Sequence, residues 1–149
     1  MKPAVSQPPE VLLVEDTPSL QMLYSTILNK TGYRVICAES GAAALEKFDT
    51  HRPPVVLLDL MLPDMDGMAL IDDLLATAPR TRIIVITADG TVDRAIDATR
   101  KGAHDFLVKP LGDLRLVAAV SAAVTDYRAK ARYGGALVGN LPDISRLFF

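Results

Sequence analysis

Four places in this sequence carry side chains that suit one kind of reaction: Glu15-Asp16, Asp59, Thr87 and Lys109. Each lies at the end of a short apolar run, at residues 11–14, 55–58, 83–87 and 106–108. If those runs are neighbouring strands of one sheet, the four places share a rim. Two carboxylates ~4 Å apart repel by roughly 4 kcal/mol at an effective dielectric of 20, against a domain stability of roughly 5–15 kcal/mol. Three unpaired carboxylates are therefore a poor structural choice. A hard divalent cation and an ammonium group relieve the strain. Mg2+ suits the first role, because it takes one or two carboxylates plus waters and phosphate oxygens, and Lys109 suits the second. Thr87 adds a hydroxyl. A nucleophilic carboxylate, a metal, a cation and a hydroxyl fit phosphoryl transfer, in which the protein's work is positioning and neutralising charge. Asp59 is the best nucleophile, since it is central while Glu15 and Asp16 can share the metal. Seen singly, each residue is an ordinary solvated group at a strand end; their joint placement carries the reading.

The elements that position them are legible. Five runs rich in β-branched residues, at 11–14, 35–38, 55–58, 83–87 and 106–108, alternate with five segments of helical period. Nearly continuous apolarity, rather than strict alternation, marks strands buried on both faces of a parallel sheet. The first helical stripe is Leu20, Leu23, Tyr24, Ile27 and Leu28, closed by Gly32. Leu45 and Phe48 mark a second after Gly41, and Ile71, Leu74 and Leu75 a third, stopped by Pro79. Val92, Ala95, Ile96 and Thr99 make a weaker fourth, ending at Gly102. The fifth covers residues 113–133, with Leu116, Val117, Val120, Val124 and Tyr127 on one stripe. Its outer half, from Val124 onward, is expected to outrun the sheet and to serve as a homodimer surface. Strand and helix alternating five times imply right-handed crossovers and a doubly wound α/β fold. Ligands of such sheets gather beyond the carboxyl ends of the strands, where strand order reverses.

A length of 149 residues suits one domain, and a composition 50% hydrophobic and 23% charged suits a buried core. Sixteen Lys plus Arg against 18 Asp plus Glu leave a formal charge of -2, with no basic footprint for nucleic acid. The longest strongly apolar uncharged run, residues 116–125, falls well short of the ~20 residues that span a bilayer, so no membrane partner is expected. Residues 1–10 hold Pro3, Pro8 and Pro9 and no apolar signal segment, so cytoplasmic residence is expected. Cys37, the single cysteine, reads as core. His51 and His104 read as surface. Asp64-Met65-Asp66-Gly67 hints at a calcium loop but has Leu62 where an acidic or amide residue is required.

Val14-Glu15-Asp16, Asp59-Leu60-Met61-Leu62-Pro63-Asp64-Met65-Asp66-Gly67, Ile86-Thr87-Ala88 and Phe106-Leu107-Val108-Lys109-Pro110 together resemble the receiver domain of two-component response regulators. The likeness covers residues 10–132, leaving 1–9 as an expected disordered arm. It implies a flavodoxin-like (βα)5 fold, with strand order 2-1-3-4-5. It also implies that Asp59 accepts a phosphoryl group from a sensor histidine kinase or histidine phosphotransferase. Asp16, Asp59 and the Met61 carbonyl would then hold Mg2+, with Glu15 acting through water, while Thr87 and Lys109 contact the phosphoryl oxygens. Lys109-Pro110 is expected to be cis. Phe106 matches the family's switch aromatic, which packs inward as Thr87 moves; the plain alternative is a core residue of an edge strand. The residues at 87–90 and 102–110 are similar to those of NtrC-type regulators, and Val14-Glu15-Asp16-Thr17 with Leu23-Tyr24 is similar to the quorum-sensing phosphorelay branch. Residues 133–149 read as a linker, and Leu137-Val138-Gly139-Asn140 through Ile144 and Leu147 resembles the opening of an AAA+ output domain of σ54-dependent activators. No P-loop motif occurs in the chain.

Three rivals share parts of this pattern. A flavin carrier of the same fold needs a phosphate-cradling loop after strand one, where Glu15-Asp16 would repel the phosphate. A phosphatase of the haloacid dehalogenase type needs an Asp two residues after its nucleophile, and position 61 is Met. A degenerate receiver that only binds proteins is opposed by intact Asp59, Thr87 and Lys109.

Overall fold

The computed structural model describes residues 7–136, with side chains through Lys130. The elements run β1 (Glu10–Val14), α1 (Pro18–Lys30), β2 (Arg34–Ala38), α2 (Gly41–His51), β3 (Val55–Asp59), α3 (Gly67–Thr77), β4 (Arg82–Thr87), α4 (Val92–Lys101), β5 (Asp105–Val108) and α5 (Asp113–Ala136). The strands form one parallel sheet in the order β2-β1-β3-β4-β5. Of the expected arm at residues 1–9, residues 1–6 lie outside the described residues, as does everything past Ala136.

Each central strand feeds two cores. Leu12, Val14, Val56, Leu58, Ile83 and Val85 face α2, α3 and α4. Val11, Leu13, Val55, Leu57, Ile84 and Ile86 face α1 and α5. With both faces covered, polar alternation would bury unpaired groups, so the strands read as unbroken apolar runs. Four strands begin one residue earlier than their apolar runs, on Glu10, Arg34, Arg82 and Asp105. Backbone pairing sets a strand's end, and a polar side chain there still reaches a partner: Glu10 sits opposite Arg34 and forms an ion pair with it at 3.7 Å.

Helix faces depart from the sequence expectation at four places. Leu23 is 47% exposed, while Tyr24 and Leu28 are the buried residues of α1. In α2, Leu45 lies on the outer side, and Ala44 and Phe48 enter the core. The expected α4 stripe points away from the core: Val92 is 72% and Ile96 43% exposed, and Ala98 is the buried residue. This helix packs against α3 and the edge strand β5, a contact that needs only a small side chain. In α5 the expected self-association seam fails at its start, because Val124 is buried in the sheet-facing core and the Tyr127 ring lies under the Arg80 guanidinium. Cys37 is only partly buried, on β2 at the sheet edge.

Gly102, at φ 105°, closes α4 in the left-handed conformation, with its N–H donating to the Thr99 carbonyl at 3.0 Å. At the start of α3, the Asp66 carboxylate accepts from the Met68 N–H at 2.9 Å. That bond first, and Arg94 second, hold the Asp66 carboxyl below its ordinary range. A depressed carboxyl contributes stability above its ordinary value, and the contribution is lost as pH falls through the depressed one. Asp66→Ala should therefore cost about 1 kcal/mol in neutral denaturant titrations, while Asp66→Asn, which still caps, should cost little. An Ala variant as stable as wild type at neutral pH would contradict this role.

Candidate functional site

The five strands end along one rim, and the chemistry-bearing residues are found there. Asp59 is the last residue of β3 and Thr87 the last of β4; Glu15 and Asp16 directly follow β1, and Lys109 directly follows β5. Because β1 and β3 are neighbours, Glu15, Asp16 and Asp59 meet, with one oxygen from each carboxylate within 4.8 Å of the others. Glu15 is fully buried and Asp59 is 4% exposed, whereas Asp16 is open to solvent. These are hard oxygen donors, the set that magnesium prefers.

Lys109 is the internal counter-charge. Its Nζ donates to Asp59 Oδ2 at 2.8 Å and to Glu15 Oε1. The other Asp59 oxygen, Oδ1, accepts from the Met61 N–H at 3.0 Å. Burial pushes the Glu15 carboxyl up from its usual range, against the downward pull of Lys109 and of the Thr17 N–H. Burial alone would lower the Lys109 ammonium, but its bonds to Asp59 and Glu15 outweigh that and raise it. Lys109 is thus charged at neutral pH and fixed between the two carboxylates it serves. The Lys109-Pro110 bond is cis, as expected.

Thr87 is buried, and its Oγ1 accepts from the Asp89 N–H at 3.2 Å, leaving its own O–H free to donate. Met61 stands in the turn after Asp59 with a 62% exposed side chain, pinned by a bridge to Asp66. Phe106 is half-buried on β5 and, with Val92, Ala95, Ile96 and Val108, lines an apolar groove against α4. His51 and His104 are exposed and stand apart from the rim residues, beside Glu10 and Asp126 respectively.

Several supporting residues escaped the sequence reading. The Asp64 carboxylate accepts from the Gly41 and Ala42 N–H groups, at 2.8 and 3.0 Å, tying the β3–α3 turn to the start of α2. Gln21 donates to the Glu15 carbonyl. Arg94 reaches Asp66 and stands beside Asp89. Asp64 and Asp66 do stand out in the sequence, but as half of a calcium loop. The Asp66 cap was signalled by the Asp66-Gly67 pair opening a helical stripe, whereas the reach of Asp64 to the start of α2 had no local signal.

The sequence and the fold also match known proteins. Residues 11–121 match the family model described as the response regulator receiver domain. Chemotaxis protein CheY of Bacillus subtilis (strain 168) is 37% identical over 112 residues, covering 74% of this chain and 93% of that protein. Transcriptional regulatory protein GlrR of Escherichia coli (strain K12) is 36% identical over 128 residues, covering 82% of this chain but only 29% of GlrR. Among solved structures, the signal receiver domain of a LuxO repressor protein from Vibrio parahaemolyticus superposes with a TM-score of 0.82 at 35% identity. It covers 86% of this chain and 98% of that one. With the matched family model, the shared sheet order and the rim of acids, threonine and lysine, the chain belongs to the receiver domain family of response regulators.

Proposed function

We propose that Asp59 is the phosphoacceptor of a two-component pathway, taking its phosphoryl group from the phosphohistidine of a sensor histidine kinase or histidine phosphotransferase. The observation that carries this reading is the Asp59 carboxylate itself. It is nearly buried, its two oxygens are oriented by the Met61 N–H and the Lys109 ammonium, and it shares a 4.8 Å cluster with two further acids. In the reaction an Asp59 oxygen bonds to phosphorus while the P–N bond breaks, and the imidazole nitrogen leaves with the electron pair. Lys109 has three N–H donors, of which Glu15 and Asp59 take two, so one is left for a phosphoryl oxygen. The free Thr87 O–H serves another.

The residues present fit Mg2+. Asp16, Asp59 and the Met61 carbonyl would hold it, with Glu15 acting through water. When bound, it supplies positive charge that offsets the carboxylates and the developing charge on the phosphoryl oxygens. Mg2+ should accordingly stabilise the fold, by about 2.7 kcal/mol at a concentration 100 times its Kd. The pH dependence follows from Glu15. Its raised carboxyl favours the protonated folded state, a contribution present below the ordinary value and lost as pH rises through the raised one. Metal binding needs the ionised form, so the Mg2+ shift in melting temperature should weaken as pH falls through the raised Glu15 range. A shift that does not change with falling pH, or that is absent at neutral pH, would contradict the site.

The acyl phosphate is not turned over on external substrates; it is lost to water, and its survival depends on what flanks the approach. Met61 offers only a weak acceptor and covers the approach with apolar bulk. Met61→Asn, by orienting the attacking water, should speed phosphate loss about tenfold, which corresponds to ~1.4 kcal/mol of barrier. Decay at an unchanged or slower rate would show that the lifetime is set elsewhere. Downstream, we place the chain before a transcription-regulatory output of the σ54-dependent type, a reading supported by the match to GlrR. Phe106 is the switch aromatic in that reading, supported by its half-buried place between the sheet and the α4 groove.

A further inference from the structure

Arg94 lies in the first turn of α4, behind the Thr91 cap. Its guanidinium meets Asp66 with two prongs, Nη1 to Oδ2 at 3.4 Å and Nη2 to Oδ1 at 3.3 Å, and its Nε stands 3.9 Å from Asp89 Oδ2. That Nε is shut off from solvent and has no hydrogen-bond partner among the described residues, so the nearby Asp89 charge is its compensation. The two acids stand on the two loops that frame the acceptor. Asp66 is bridged to Met61, two residues after Asp59. Asp89 is two residues after Thr87 and donates its N–H to the Thr87 hydroxyl oxygen.

The charges around this mouth are unbalanced. Glu15, Asp16 and Asp59 cluster beside one ammonium, Lys109, which pairs with Glu15 and Asp59. Asp66 and Asp89 would add two more negative charges on the side from which a phosphodonor, itself an anion, must enter. Resting on the phosphoacceptor reading above, we propose that Arg94 is a positioning residue that screens Asp89 and so sets how fast an anionic phosphodonor reaches Asp59. Arg94 touches none of the reacting atoms; it acts through the acid it covers. Field effects of this kind change the local concentration of a charged reactant, and salt erases them.

The experiment compares initial rates of labelling by acetyl phosphate with Mg2+ for the full chain and three variants. In that reaction an Asp59 oxygen bonds to phosphorus as the P–O bond to acetate breaks, and acetate leaves with the electron pair. At ~0.01 M ionic strength, Arg94→Gln should slow labelling about tenfold. Asp89→Asn should speed it severalfold, because the amide removes the charge yet keeps an oxygen for the Thr91 N–H. The double variant, with the net charge of wild type, should return to within about twofold of the wild-type rate, and all differences should fade at ~1 M salt. A purely structural role for Arg94 predicts instead that both Arg94→Gln proteins stay slow at every salt concentration, and that result overturns the proposal. Were Arg94→Gln not to fold, Asp89→Asn alone carries the test, since a rate equal to wild type at low salt also overturns it. Wild-type protein that fails to label at all removes the phosphoacceptor reading itself, whereas labelling that ignores rim charge removes only the role of Arg94.

Discussion

Asp59→Asn is expected to abolish acid-labile phosphate incorporation from acetyl phosphate, while leaving the fold intact. The amide is nearly isosteric and keeps an oxygen for the Met61 N–H, so the turn after β3 keeps its anchor. It is not a nucleophile, and nothing else on the rim replaces it. Thr87 is buried with its oxygen engaged by the Asp89 N–H, and Glu15 is buried against Lys109. Removing one of three clustered carboxylates also relieves repulsion, which offsets the lost Lys109 contact. Labelling of the variant at the wild-type rate would remove Asp59 from the centre of the chemistry.

The second large effect concerns Gly67, the first residue of α3. A Cβ there would lie 2.7 Å from the Leu60 Cα and 2.8 Å from the Asp59 carbonyl oxygen, both backbone atoms directly behind the acceptor. The Gly67 N–H also donates to the Leu60 carbonyl at 2.9 Å, which holds the two segments at that distance. A flexible side chain could yield to an added methyl, but this backbone yields only by moving Asp59. Gly67→Ala should cost about 1–3 kcal/mol in urea titration and lower the labelling rate along with it. Gly112→Ala is the control, because a Cβ at Gly112 meets nothing within 4 Å, and it should change stability by less than ~0.5 kcal/mol. Equal midpoints for the two variants would mean that the close approach behind Asp59 is not a constraint.

The rim was legible in the sequence for a physical reason. A parallel sheet buried on both faces writes its strands as apolar runs, and the first polar residue after each run marks where the strand leaves the core. Asp59, Thr87 and Lys109 stand at such exits. Their mutual distances were not legible, because they depend on strand order, which rested on likeness to known receivers. Helix faces were read less well. In α4 the apolar spacing of Val92, Ala95 and Ile96 predicts a core face, yet a helix at the sheet edge is anchored through Ala98 and leaves larger side chains outside. Val124 erred in the other direction, for α5 follows the sheet farther than its length suggested and Val124 is buried there. Arg94 was invisible from sequence, because its partners Asp66 and Asp89 lie 28 and 5 residues away on separate loops.

The central claim is that one named carboxylate carries the phosphoryl group. An acyl phosphate is reduced by borohydride to the alcohol, so a phosphorylated aspartate becomes homoserine and can be located by peptide mass mapping. After treatment with acetyl phosphate and Mg2+, homoserine is predicted at position 59, and omission of the phosphodonor should leave Asp59 unreduced. Homoserine at Asp16, a reduced side chain at Glu15, or a phosphate that survives borohydride on a hydroxyl such as Thr87 would contradict the account.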